Sequence, residues 1–216
     1  MRVKGVFFFR RDKRRVVVWR DKRRVSGVHI MVLVVVVLVG VFFSLSEEWQ
    51  RRRRELAVWS LVRRQSAELG VDPYLVMAII SVESNFNPVV RGRCSEIGLM
   101  QIMPHNAQKM AQLLGWGRLS WWEVERPLVN IRLGVLFLRN LVAWKRRHLL
   151  PSAWFYPILI TEYNAGWGRV ERWLKLAREG GDWLSAIEIA STRRYVRRVL
   201  AEWQRYRCYF GRELGA

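Results

Sequence analysis

Cysteine is nearly absent from this chain: Cys94 and Cys208 are the only two in 216 residues. Two cysteines supply neither a zinc cluster nor a disulfide framework, so stability must come from apolar burial. Histidine is as sparse, and His29, His105 and His148 stand too far apart for metal-ligand spacing. No metal or other cofactor is expected. Acidic residues number 18 against 38 Lys and Arg, which leaves a formal charge of +20. Such an imbalance calls for a polyanionic neighbour: nucleic acid, anionic lipid or an acidic polymer. Strand-like alternation of apolar and polar residues is almost missing, as are internal repeats and any Pro/Gly/Ser-rich linker. These absences argue against a sheet protein and against flexibly tethered domains.

What is present begins with charge. Residues 1–24 hold eleven Lys or Arg against Asp12 and Asp21, a net +9. Residues 25–46 then carry no charged side chain, and Val34-Val35-Val36-Val37 lies at the centre of the run. About 20 apolar residues cross a bilayer, whereas a signal-peptide core is usually about 7–15 long. The pattern predicts a single retained membrane span, with the basic block in the cytoplasm and everything after residue 46 exported. The span also answers the rival reading of the block as a nucleic-acid arm, for which no recognition motif is present. Nucleic acid is not expected as a partner. Residues 47–65 contain Arg51-Arg52-Arg53-Arg54 between Trp49 and Trp59. They read as a helical stalk at the membrane surface, arginines toward anionic headgroups and tryptophans at the interface, or else as a solvated helical face. Export would put Cys94 and Cys208 in an oxidising compartment, where pairing is open to them.

The stretch 72–88 is the most informative. Asp72 is a good N-cap and Pro73 suits the first helical position. The helix that follows is almost wholly apolar, as a core helix is. One carboxylate interrupts it: Glu83 follows Ile80, Ile79 and Val76 by three, four and seven residues and shares their face. Asn85, Asn87 and Pro88 end the helix, so Glu83 sits in its last turn. Apolar surroundings and the negative helix end both disfavour the carboxylate, which suits a general acid. Further helices are expected from Pro104, from Pro127, over 152–163, and as amphipathic segments over 169–178 and 193–209. The domain therefore reads as all-α.

Four separated stretches resemble the bacterial lytic transglycosylase domain, which has a lysozyme-like fold. They are Glu83-Ser84-Asn85-Phe86-Asn87-Pro88, Gly98-Leu99-Met100-Gln101-Ile102-Met103-Pro104, Asn130-Ile131-Arg132-Leu133-Gly134 and Tyr163-Asn164-Ala165-Gly166. Thr192-Arg193-Arg194-Tyr195-Val196 is a weaker fifth match. Charge and hydropathy give a basic tail over 1–24, an anchor over 25–46 and a stalk over 47–65; the resemblance implies a catalytic domain over 66–212. It implies Glu83 as catalytic acid and base, Gln101 as a sugar contact with Met100 beside it, and Tyr163 facing Glu83 with Asn164 as its neighbour. The substrate implied is the peptidoglycan glycan strand, cut between N-acetylmuramic acid and N-acetylglucosamine with a 1,6-anhydro end. The expected location is the inner membrane, catalytic domain outside the cytoplasm, with an envelope protein complex left open as a partner. Two alternatives remain: a hydrolysing muramidase on the same fold, or a silent peptidoglycan-binding module.

The chain departs from the family pattern in places. Its Ser-x-x-Gly-Ala run falls on Gly92-Arg93-Cys94-Ser95-Glu96, so a serine is replaced by glycine and an extra carboxylate enters. Glu96 reads either as an ion-pair partner of Arg91 and Arg93 or as a second catalytic group. Ser191 stands where the family often has Glu.

Overall fold

The structure is a computed structural model that describes residues 8–11, 14–17, 27–146, 152–180 and 182–213. The chain divides into two units, Met1–Glu48 and Trp49–Ala216.

In the first unit, two short strands form an antiparallel hairpin, β1 (Phe8–Arg11) and β2 (Arg14–Val17), with Phe8 opposite Val17 and Arg11 opposite Arg14. The rest of the expected basic tail lies outside the described residues. Helix α1 runs over Gly27–Leu69 and passes the unit boundary. Its apolar part is long and hydrophobic enough to cross a membrane, and none of it is buried in protein. Val34, Val37 and Leu38 are at least half exposed, an arrangement that water disfavours and lipid does not.

The second unit is helical. After α1 come α2 (Pro73–Ser84), α3 (Pro104–Leu113), α4 (Trp121–Glu125), α5 (Pro127–Arg146), α6 (Phe155–Ala165), α7 (Trp167–Gly180), α8 (Trp183–Ala186) and α9 (Ala190–Glu213). A single 3₁₀ turn, Ser152–Trp154, leads into α6. Helix α2 begins as its sequence predicts: Asp72 Oδ1 accepts from the N–H groups of Tyr74 (2.8 Å) and Leu75 (3.4 Å), with Pro73 at the first helical position. Asn85 closes it in the left-handed conformation at φ 50°. Leu75 to Ser81 are all buried, so the helix has no solvent face over that run. It packs against α9, which in turn packs on α6, while α5 holds α3, α4 and α6 together.

The end of α1 belongs to this core. Val58, Val62 and Leu69 are buried in it, and Trp59 stacks on Phe210 of α9 at 4.2 Å and on Tyr74 of α2 at 5.8 Å. The stretch expected to be a stalk is thus packed over much of its length. Arg51 donates to Ser81 Oγ at 3.2 Å, and Arg52 pairs with the buried Glu55, also at 3.2 Å. Those two arginines are turned into the protein; Trp49, with Arg53 over its ring, stays exposed.

Buried tryptophans bring their polar atom with a partner, as burial requires. Trp183 donates to Thr161 Oγ1 at 3.1 Å and Trp173 to Glu188 Oε2 at 2.9 Å. Cys94 and Cys208 are free and exposed, so they are not paired in this structure.

Candidate active site

Glu83 occupies the last turn of α2, where the core helix reaches partial exposure. The Tyr195 hydroxyl, from α9, donates to Glu83 Oε1 at 2.6 Å. Desolvation pushes the Glu83 carboxyl up to about 7; the nearby negative charge of Glu96 adds to the rise, while the Tyr195 hydrogen bond and the Arg198 charge oppose it. The outcome is a carboxyl group that holds its proton near neutrality yet can be reached from solvent. That combination is what proton delivery to an oxygen leaving group needs.

The family-matched loop is built around a buried amide. Asn130, at the start of α5 and fully buried, donates to the carbonyls of Ile97 (2.9 Å) and Val124 (3.0 Å) and accepts from the Met100 N–H (2.8 Å). Gly98 has a positive φ of 78°, and a Cβ there would lie 2.5 Å from Asn130 Nδ2. Glycine is therefore required on two counts: backbone conformation and close approach. Gln101 follows at φ 44° and spends its side-chain nitrogen on the carbonyls of Val90 (2.9 Å) and Gly98 (2.8 Å). It ties the two limbs of the loop together.

The other sequence-predicted residues fall as follows. Met100 has no exposed surface, and its sulfur fills the space over Gly134, where a Cβ would come within 2.3 Å. Its side chain is core, and it reaches the site only through its backbone: the Tyr163 hydroxyl donates to the Met100 carbonyl at 2.6 Å. Tyr163 therefore does not donate to Glu83, though burial first and the Glu83 charge second raise its pKa. The physical reason is that the Met100 carbonyl, left out of regular secondary structure, is the acceptor within its reach. Asn164 is exposed beside it, and Gly166 closes α6 at φ 78°.

Two residues here were not picked out as site residues from sequence. Tyr195 lies inside the weaker fifth match and could have been found there. Arg198 lies one helical turn further on α9 and carries no signal of its own. Arg91 does not serve as a counter-ion for Glu96: it pairs with Glu125 at 3.6 Å and lies 3.9 Å over the Trp121 ring. A cavity of about 290 Å³ lined by Asn106, Lys109, Phe137, Asn140, Glu162 and Trp167 opens nearby. Glu83 does not line it; the link is Phe137, whose ring packs 5.6 Å from that of Tyr163.

Comparison with solved structures gives the class first. The domain shares the fold of lytic transglycosylases: 70% of this chain superposes on 24% of the 70 kDa soluble lytic transglycosylase of Escherichia coli, with a TM-score of 0.62 and 29% identity. An inactive mutant of lytic transglycosylase Slt from Pseudomonas aeruginosa matches over the same shares, with a TM-score of 0.61 and 29% identity. The family follows. Residues 60–186 match the model of the Transglycosylase SLT domain, and the chain belongs to that family. Among curated relatives, the membrane-bound lytic murein transglycosylase C of Edwardsiella ictaluri is 32% identical over 69% of this chain. That of Pectobacterium atrosepticum is 32% identical over 71%. The chain spans about two fifths of the length of each, 40% and 41%.

Proposed function

We propose that this protein is a membrane-anchored lytic transglycosylase that cleaves peptidoglycan glycan strands between N-acetylmuramic acid and N-acetylglucosamine. The observation that carries the reading is Glu83: a half-buried carboxyl group with a pKa raised to about 7, aligned by Tyr195. Family membership supports the substrate class.

Glu83 first protonates the leaving glycosidic oxygen, and the substrate's own N-acetyl group stabilises positive charge at the anomeric carbon. Glu83, now ionised and held by the Tyr195 hydroxyl, accepts the proton of the muramic C6 hydroxyl. That oxygen attacks the same carbon and closes a 1,6-anhydro ring. Attack from within one sugar gains the advantage of a held geometry. A single carboxyl group suffices, unlike the pair that glycosidases commonly use. Gln101, Tyr163 and Asn164 border the sugar, the first two mainly by shaping the loop. The 290 Å³ cavity beside Tyr163 has room for a further part of the strand. Helix α1 supplies the anchor, with the +9 block of residues 1–24 inside and the domain outside the inner membrane.

One observation favours a second reading, hydrolysis: the charge of Glu96 reaches Glu83, so two carboxyl groups share the neighbourhood. Incubating the full-length chain in detergent with purified peptidoglycan, followed by mass spectrometry, tests both. Anhydro-muramic ends are expected. Products one water heavier and reducible by borohydride would make the protein a hydrolase; intact strands would overturn both readings.

A further inference from the structure

The proton transfers assigned to Glu83 make no use of Glu96, yet Glu96 is held in a built seat. The chain reverses tightly between residues 92 and 96. The Gly92 N–H donates to the Glu96 carbonyl at 2.9 Å, the Ser95 N–H donates to the Gly92 carbonyl at 3.2 Å, and Ser95 takes φ 68°. The Glu96 side chain folds back over Gly92. A Cβ at position 92 would lie 2.0 Å from Glu96 Oε2 and 2.7 Å from its Cδ. Any side chain there would expel the carboxylate, so the glycine at this position and the glutamate four residues later fit one another. The Cys94 N–H donates to Oε2 at 2.9 Å and fixes the carboxylate in place.

A second acceptor converges on the same spot. The point a Cβ of residue 92 would occupy is 3.0 Å from Gln101 Oε1. The orientation of the Gln101 amide is set by its two partners: Nε2 donates to the Val90 and Gly98 carbonyls, which turns Oε1 toward Gly92. One basic candidate, Arg91, is drawn off, since it pairs with Glu125 and covers Trp121. Both side chains are partly exposed. A carboxylate only accepts, and the Gln101 amide hydrogens are spent. What binds between them must donate. The loop that holds this pair leaves the end of α2 directly after Glu83, with Gln101 tied to its Val90 carbonyl, and the charge of Glu96 acts on Glu83.

We propose that Glu96 and Gln101 Oε1 form, over Gly92, an acceptor subsite for a hydrogen-bond donor of the hexosamine bound against Glu83, its acetamido N–H or a ring hydroxyl, and that Glu96 is a specificity-determining residue. The inference rests on the glycan-cleaving reading. An acetamido sugar offers donors on every ring, and a charged acceptor gives stronger and more directional bonds than a neutral one.

The test is calorimetric binding of the N-acetylglucosamine tetramer to the full-length chain in detergent, in a Glu83→Gln background that prevents turnover. Adding Glu96→Ala is expected to weaken binding about tenfold, the usual effect of losing a hydrogen bond to a partly exposed charged group. Adding Gly92→Ala instead is expected to weaken it comparably, because the new Cβ displaces the carboxylate while the charge remains in the chain. Equal melting temperatures among the variants establish that the loss is local. Tetramer affinity unchanged by both Glu96→Ala and Gly92→Ala would overturn the subsite alone. Failure of the Glu83→Gln parent to bind the tetramer at all would overturn the glycan reading and the subsite with it.

Discussion

The Tyr195 hydroxyl donates to Glu83 Oε1 at 2.6 Å, joining the end of α2 to the first turns of α9. Burial favours the neutral acid, and this hydrogen bond favours the carboxylate; their balance leaves the group near 7. A general acid that must become a general base in the next step needs both forms within reach. Removing the donor shifts the balance in a known direction. In Tyr195→Phe the Glu83 pKa rises further, since a hydrogen bond to the charged form lowers a pKa and its loss does the reverse. The alkaline limb of the pH–rate profile is expected to move to higher pH. An unmoved or lowered limb would separate Tyr195 from the acid's titration.

Tyr163→Phe serves as the contrasting variant. The Tyr163 hydroxyl is bound to the Met100 carbonyl, not to Glu83. Its loss frees one limb of the Gln101 loop and leaves a carbonyl without its donor. Thermal melting is expected to show a loss of about 1 kcal/mol, the net worth of one such bond. The pH midpoint of activity should stay close to wild type. A large shift of that midpoint would mean that Tyr163 contacts Glu83 once substrate is bound.

Glu83 also carries a stability cost that can be measured. Its folded pKa of about 7 lies above the 4.5 of an exposed glutamate. Below pH 4.5 both folded and unfolded chains hold the proton, and the group is neutral in its effect. Between 4.5 and 7 the folded state binds more protons than the unfolded state, so stability falls as pH rises. Above 7 the loss levels off at about 3 kcal/mol, from 1.36 kcal/mol per pKa unit. Glu83→Gln removes the titration. Its melting temperature is expected to match wild type near pH 4 and exceed it at pH 8, while cleavage is lost at both. A variant that melts lower than wild type at pH 8 would show that Glu83 stabilises the fold instead. Such gains at a proton-donating site are the usual sign of stability given up for function.

Much of this site was legible in the sequence because its signals are local. Asp72, Pro73 and Asn85 bracket α2 by capping chemistry alone, and the spacing from Val76 to Glu83 puts the acid on a core face. Pro104 and Pro127 open α3 and α5 for the same kind of reason. What stayed hidden depends on contacts distant in the chain. Tyr195 is 112 residues from Glu83, and the weaker fifth match that contains it does not say which carboxylate it will meet. Met100 looked like a cleft residue because it adjoins Gln101, but adjacent residues in a turn point in different directions, and the space over Gly134 takes its sulfur. Within 47–65 the charges at 51–54 conceal the apolar Val58 and Val62, whose burial, like the stacking of Trp59 on Tyr74 and Phe210, depends on partners far along the chain. The short helices α4 and α8 were missed, since four or five residues give too little periodicity to detect.

Asn130 is the residue on which the loop depends most. It is fully buried and makes three hydrogen bonds, two as donor to Ile97 and Val124 and one as acceptor from Met100. Asn130→Ala removes the acceptor of the Met100 N–H and the Asn130 donor of the Val124 carbonyl, each worth about 1–3 kcal/mol, while the Ile97 carbonyl keeps the Ile102 N–H at 3.1 Å. A loss of at least about 2 kcal/mol is expected, read as a lower melting temperature, along with weakened activity as Gly98 and Gln101 lose their support. Asn130→Asp separates shape from hydrogen bonding. It keeps the acceptor for the Met100 N–H but turns an oxygen toward the Ile97 and Val124 carbonyls. The ionised form is repelled by both, whereas the protonated form can donate to one of them. Asn130→Asp should therefore be closer to wild type at pH 4 than at pH 8, whereas Asn130→Ala, which carries no titrating group at this site, should differ from wild type equally at both. If Asn130→Ala melts within about 1 kcal/mol of wild type, the amide is a space-filler and the loop is held by its other bonds, those of Gln101 and Tyr163 among them.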